Sequence, residues 1–179
     1  IHCGGTAKMD RREAMALSCD TLARVIEAVG DTSVHLGIET MGKLNQLGTL
    51  EEVLELCAVD HHYYPVVDFG HLNARVCGNA FPDVDAYRYV FDRVGTELGD
   101  EVARYMHCHF SKIEYTAAGE KRHLTFEDEV YGPRFEPLME AIVTEGLMPR
   151  IICESDGTMA EDAISMSDYY NFIKSGGLS

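Results

Sequence analysis

Seven side chains able to ligate a cation recur through this sequence: His2, Glu39, Asp68, His71, His109, His123 and Glu154. Five of them close short apolar runs, in "IHCGG", "GIET", "PVVD", "HCHF" and "IICES". These five lie roughly 30–45 residues apart, about one strand plus one helix. Imidazole and carboxylate together form a donor set suited to Zn2+ or Mn2+. Singly, each residue has an ordinary reading, as a terminal histidine, a capping or Asx-turn carboxylate, or a solvated loop histidine. Five metal-capable residues at the same point of five successive units are better explained by one site. In a parallel barrel the carboxyl ends of the strands converge on one face.

The elements that must position these residues alternate strictly. Residues 1–5 read as a strand ending in two glycines, and 10–29 carry Leu17, Leu22, Val25, Ile26 and Val29 at helical spacing. Residues 34–40 read as a strand followed by the loop "MGKLNQLG". Thr49 and Glu52 then form a capping box opening a helix over 49–59. A strand over 63–68 leads into a loop containing Gly and Asn, after which Asp83 can cap a helix bearing Tyr87, Val90, Phe91, Val94 and Leu98. Residues 102–110 read as a strand with a long polar loop behind it, in which His123 falls. A helix over 135–147, a strand over 149–155 and a closing helix over 159–174 complete the pattern.

Five such units make an α/β chain with a parallel sheet covered by helices, either doubly wound or a (β/α)8 barrel. Without a G-x-G-x-x-G fingerprint or a P-loop, a nucleotide-binding doubly wound sheet loses support. The chain's 179 residues, 46% of them apolar, fit one domain. No apolar run approaches the ~20 residues that span a bilayer, and no signal peptide is present, so no membrane partner is expected. Six scattered cysteines without a C-x-x-C pair point to a reducing cytoplasm. The net charge of −15, from 30 acidic and 15 basic residues, is a poor footprint for generic phosphate-backbone binding. It also fits carboxylates whose charge bound cations cancel. The sequence opens directly on a strand, so further residues upstream are expected.

In order and nearly end to end, these segments resemble the endonuclease IV family, among the xylose-isomerase-like barrels. "GIETMGKLNQLG" looks like that family's strand ending in a bridging glutamate, followed by its G-x-x-N-x-L-G loop. "VVDFGHLNA" is similar to its D-x-x-H-x-x-A segment, and "HFSK" to its H-L-N-D-S-K strand end. "IICES" and "IHCGG" are similar to its I-L-E-T and H-P-G-S. The resemblance implies that residues 1–179 are the C-terminal part of a single (β/α)8 TIM barrel, strands four to eight with their helices. The first three βα units, and one histidine ligand on the third strand, would lie outside this sequence.

The resemblance further implies two or three Zn2+ ions, with Mn2+ as an alternative metal. His2 would help hold one zinc, and Glu39 would bridge two. Asp68, His109 and Glu154 would complete the second site, and His71 with His123 would hold a third. Glu39 and Glu154 would be the catalytic residues and Asn45 a substrate contact; Lys121, which departs from the family's pattern, would either weaken the third site or contact a substrate phosphate in place of metal charge. The activity implied is hydrolysis of DNA on the 5′ side of abasic sites. Two departures stand out. Lys121-Arg122-His123 occupies the place of the family's D-x-H, so a cation stands where a ligand is expected, and "LTFEDEVYGP" lacks the family's Gly-rich continuation.

A sugar isomerase or epimerase on the same scaffold shares Glu39, Asp68, His109 and Glu154. There one divalent metal would orient a small sugar or sugar phosphate while Glu39 and Glu154 move a proton. Tyr115 stands where those epimerases resemble one another in an arginine. A third possibility is a non-catalytic fragment, because five strands cannot close a barrel and open edges invite association. A homodimer, or a separate N-terminal segment, would then cover them.

Overall fold

The computed structural model describes residues 1–30 and 32–177. Asp10 opens α1 (Arg11–Val29), its carboxylate accepting a hydrogen bond from the Arg12 backbone N–H. After β1 (Leu36–Glu39), the expected capping box is present at α2 (Leu50–Cys57): Thr49 and Glu52 satisfy each other's backbone N–H groups. The chain continues through β2 (Tyr63–Asp68), α3 (Phe69–Arg75), α4 (Val84–Leu98), α5 (Asp100–Arg104) and β3 (His107–Phe110). It ends with β4 (Lys112–Thr116), β5 (Gly119–Leu124), α6 (Glu136–Glu145), β6 (Arg150–Cys153) and α7 (Met159–Lys174).

β1, β2, β3 and β6 form one sheet in that order, every pairing parallel. The first segment adds to the β1 edge through a single parallel bridge, His2 to Glu39. The outward face of the sheet is covered at its centre: Ile38, Val67, Cys108 and Phe110 are each 0% exposed. They pack with Phe69, Phe91, Leu138 and Ile142 from the helices and with Val53 and Leu56 from α2. Apolar burial of this kind is the main stabilising term for such a layer. The inward face carries Glu39, Val66, Asp68, His107, His109 and Ile152, which the parallel register sets side by side. This is part of an α/β TIM barrel, with its concave inner surface open.

Four expectations change. Residues 1–5 form isolated bridges rather than a full strand. Residues 100–104 are the short helix α5, because acidic Asp100 and Glu101 suit its first turn and Arg104 its last; only 107–110 are strand. The loop expected after β2 is helical from its first residue, because Asp68 caps α3 by accepting from His71 N at 2.7 Å. The polar loop expected after β3 is an antiparallel hairpin, β4 with β5, turning at Ala117 and Ala118 with Gly119 opening β5. Gly119 has φ +92°, where a side chain is strained.

Candidate metal centre

Glu39, Asp68, His109 and Glu154 each present a ligand atom, all within 4.8 Å of one another. Each sits at or just beyond the carboxyl end of its strand, as the sequence pattern requires. His109 Nδ1 lies 3.2 Å from Glu39 Oε1 and 3.1 Å from Glu154 Oε1, so the imidazole is held between two carboxylates. His2 Nε2 reaches Glu39 Oε2 at 3.4 Å from the bridged first segment.

The electrostatics of this group favour a cation. Asp68 is 0% exposed. Its Oδ1 accepts from His71 N, whereas its Oδ2 is buried without a hydrogen-bond partner among the described residues. A buried carboxylate oxygen left unpaired is costly unless something positive completes it. Burial pushes the Asp68 carboxyl above its usual range, against the pull of His71 and of the His71 N–H. Glu39 goes the other way. Burial opposes its ionisation, but the hydrogen bond from His109 and the neighbouring His109, His71 and His2 hold it below the ordinary value. Burial likewise disfavours a charged His109, yet Glu39, Glu154 and Asp68 raise it overall. Clustered acids and imidazoles that depend on one another's protons in this way form a donor set that fits a divalent metal.

A second group adjoins the first. His71, Glu120 and His123 also place ligand atoms within 4.8 Å of one another. His71 is 4% exposed and stands between the two groups. Its Nδ1 is 2.9 Å from Thr40 O, 3.4 Å from Asp68 Oδ2 and 3.6 Å from Glu39 Oε1, and its Nε2 is 3.5 Å from Glu120 Oε2. Ser111 Oγ lies 2.8 Å from His123 Nδ1.

The structure therefore brings six of the seven sequence-derived ligands into these two groups and ties the seventh, His2, to Glu39. His123 lies on β5 rather than in a loop. Lys121 does not stand where a ligand is expected: its ammonium is 2.6 Å from Glu114 Oε1, an acid that also pairs with Arg122. Asn45 is at the exposed tip of the β1–α2 loop, where its backbone oxygen accepts from Thr6. Glu120 is the residue that sequence reading missed. It stands three residues before His123, which in an unbroken strand would place it on the opposite face.

At the other end of the sheet, Asp60, His61 and His62 also cluster. They form the turn entering β2, with Asp60 Oδ1 accepting from His62 N at 3.0 Å, as their position before the strand suggests.

Parallel strands under helices, with acids and imidazoles gathered at their carboxyl ends, define a barrel with a candidate cation site. The chain belongs to the xylose isomerase-like TIM barrel family, whose pattern its residues 1–169 match. It is 32% identical over 139 residues to the uncharacterized protein MJ0133 of Methanocaldococcus jannaschii, a match covering 78% of this chain and 49% of that protein. Among solved structures it is similar to D-psicose 3-epimerase with D-fructose, at TM-score 0.56 and 15% identity over 94% of this chain and 59% of that one. A 3-keto-D-glucoside 4-epimerase from E. coli aligns at TM-score 0.47 and 16% identity over 92% of this chain and 53% of that one. The chain thus spans about half the length of the curated relative it matches.

Proposed function

We propose that the protein is a divalent-cation-dependent phosphodiesterase of the endonuclease IV type, acting on DNA 5′ to abasic sites. The observation that carries this reading is the second group, His71–Glu120–His123, set against the first and sharing the neighbourhood of His71 with it. Phosphodiester displacement spreads negative charge over several oxygens, and adjoining cation sites suit that charge. Bound Zn2+ or Mn2+ would polarise a phosphoryl oxygen and lower the pKa of an attacking water.

The chain's own residues supply position and proton handling. Glu39, reached by His109 on one oxygen and His2 on the other, is placed to serve two adjoining sites at once. Glu154, its side chain 34% exposed at the open side of the centre, is the group best placed to take a proton from incoming water. Thr40 fixes Asp68 from below, its hydroxyl 2.9 Å from Asp68 N, so the most buried ligand is also rigidly held.

A second reading, a sugar isomerase or epimerase, is favoured by a different observation. The four-residue centre is complete by itself, with Glu39 and Glu154 flanking His109 as a proton-shuttling pair requires. The net charge of −15 also repels DNA more than it repels a small neutral sugar. Metal analysis and turnover on the whole protein separate the two. Two or more zinc ions with incision of a duplex bearing one abasic site support the phosphodiesterase. A single metal with ketose turnover and an intact duplex overturns it.

A further inference from the structure

We propose that Lys121 is a spacer absorbed by a β-bulge, and that Glu120, turned onto the His71–His123 face by that bulge, is the carboxylate ligand of the second cation site. This rests on the cation reading given above. The pairing of β4 with β5 runs Ile113 to His123 and Glu114 to Arg122, then jumps so that Tyr115 faces Glu120. Lys121 has no partner of its own in that register, the mark of one extra residue in one strand. Cross-strand partners share a face of the sheet. Ile113 and Tyr115 are two apart and therefore share one face, which carries their partners His123 and Glu120 with them. Without the extra residue, side chains three apart would point to opposite faces.

The displaced charges confirm the turn from the other side. Lys121 and Arg122 both converge on Glu114, at 2.6 Å each, so the two cations neutralise a carboxylate away from the histidines. The hairpin end is clamped to the β1–α2 loop: Glu120 N donates to Gly42 O at 3.1 Å and Leu44 N to Ala118 O at 3.1 Å. A Cβ at Gly42 would come within 2.6 Å of Glu120 Cβ, so the glycine is what lets Glu120 sit so close to His71.

The imidazoles are already turned for the ion. His71 Nδ1 is 2.9 Å from the Thr40 carbonyl, which can only accept, so that nitrogen carries the proton and Nε2 offers its lone pair towards Glu120. His123 is oriented at Nδ1 by the Ser111 hydroxyl, 2.8 Å away. Two imidazole nitrogens and one carboxylate suit Zn2+ and leave a position open.

The test is metal stoichiometry and the visible spectrum of the Co2+-substituted whole protein, for wild type and three variants. Glu120→Gln is expected to lose one metal equivalent and the matching Co2+ band, with the other equivalents unchanged. Lys121→Ala is expected to keep every equivalent. Deleting Lys121 is also expected to keep them, because a regular strand then carries Glu120 and His123 two residues apart on the same face. Full wild-type occupancy in Glu120→Gln overturns the proposal, and so does loss of an equivalent in Lys121→Ala. If the deletion variant unfolds, the other two variants still decide. A wild-type protein that binds no metal overturns this proposal together with the proposed function. Two or more equivalents that all survive in Glu120→Gln overturn this proposal alone.

Discussion

Asp68 divides its two oxygens between structure and chemistry. Oδ1 caps α3 through His71 N, while Oδ2 is buried with no hydrogen bond among the described residues, its nearest imidazole nitrogen being His71 Nδ1 at 3.4 Å. Asn caps a helix as well as Asp does, so Asp68→Asn should keep the cap and lose only the charge. The metal-free variant is expected to melt no lower than metal-free wild type, because an uncompensated buried carboxylate has been removed. Most of its stabilisation by Zn2+ should nevertheless be lost. A calorimetric Zn2+ titration matching wild type would remove Oδ2 from the ligand set. Glu39→Gln is expected to abolish both metal loading and activity, and retained activity would cancel its shared role between sites. Ser111→Ala should be milder. It leaves His123 in place but unheld, and such outer partners are worth about 10–100-fold in metal affinity. Equilibrium dialysis of the variant against Zn2+ reads that directly.

Among the elements, α2 and the loop before it frame the site through one carboxylate. Glu52 accepts from Gly48 N and Thr49 N and pairs with the Arg11 guanidinium, while Arg11 and Arg75 both donate to Gln46 O in the same loop. Burial opposes its ionisation, but Arg11 and the two backbone N–H groups lower its pKa to about 2 from an ordinary 4.5. A carboxylate depressed on folding stabilises fully above its unfolded pKa, and the contribution fades as pH falls from about 4.5 towards 2. The shift corresponds to about 3 kcal/mol. Urea midpoints measured across that window should fall more steeply for wild type than for Glu52→Gln; parallel curves would show that the shift has no thermodynamic weight.

The same scale shows what a sequence can and cannot reveal. The capping box at Thr49–Glu52, the four strand ends and the apolar outer face were legible because spacing alone determines them. The β4–β5 hairpin was not, because its residues are mostly polar and carry little alternation. Glu120 was hidden for a sharper reason: a single-residue bulge reverses the face on which a strand residue lies, and only the pairing partner reveals where the extra residue sits. Gly119→Ala tests that hairpin as an element. A Cβ there would meet Gly42 O at 2.2 Å at a φ of +92°, costing about 1–3 kcal/mol. Circular dichroism melting should show that loss, with Zn2+ binding weakened at the His71–Glu120–His123 group first.

For the whole molecule, the distribution of charge decides how stability responds to metal. The outer face of the sheet is apolar and covered at its centre, whereas the inner face gathers Glu39, Asp68 and Glu154 in a chain already at −15. Bringing those carboxylates together opposes folding, and a cation bound only by the folded chain offsets that opposition. At a free concentration one hundred times Kd, one site stabilises by about 2.7 kcal/mol. In a chain of this size that corresponds to about 5–11 °C in Tm. Differential scanning calorimetry with saturating Zn2+ against EDTA should therefore show at least this shift, and roughly double it if both groups fill independently. Mg2+ should do much less, because it demands oxygen ligands in octahedral array and these groups offer imidazoles. In Glu120→Gln only about half of the Zn2+ shift should remain, whereas Asp68→Asn should lose the larger share. Identical melting in Zn2+ and EDTA would mean that the gathered carboxylates are stable without a cation, and the reading of this face as a metal centre would fall with it.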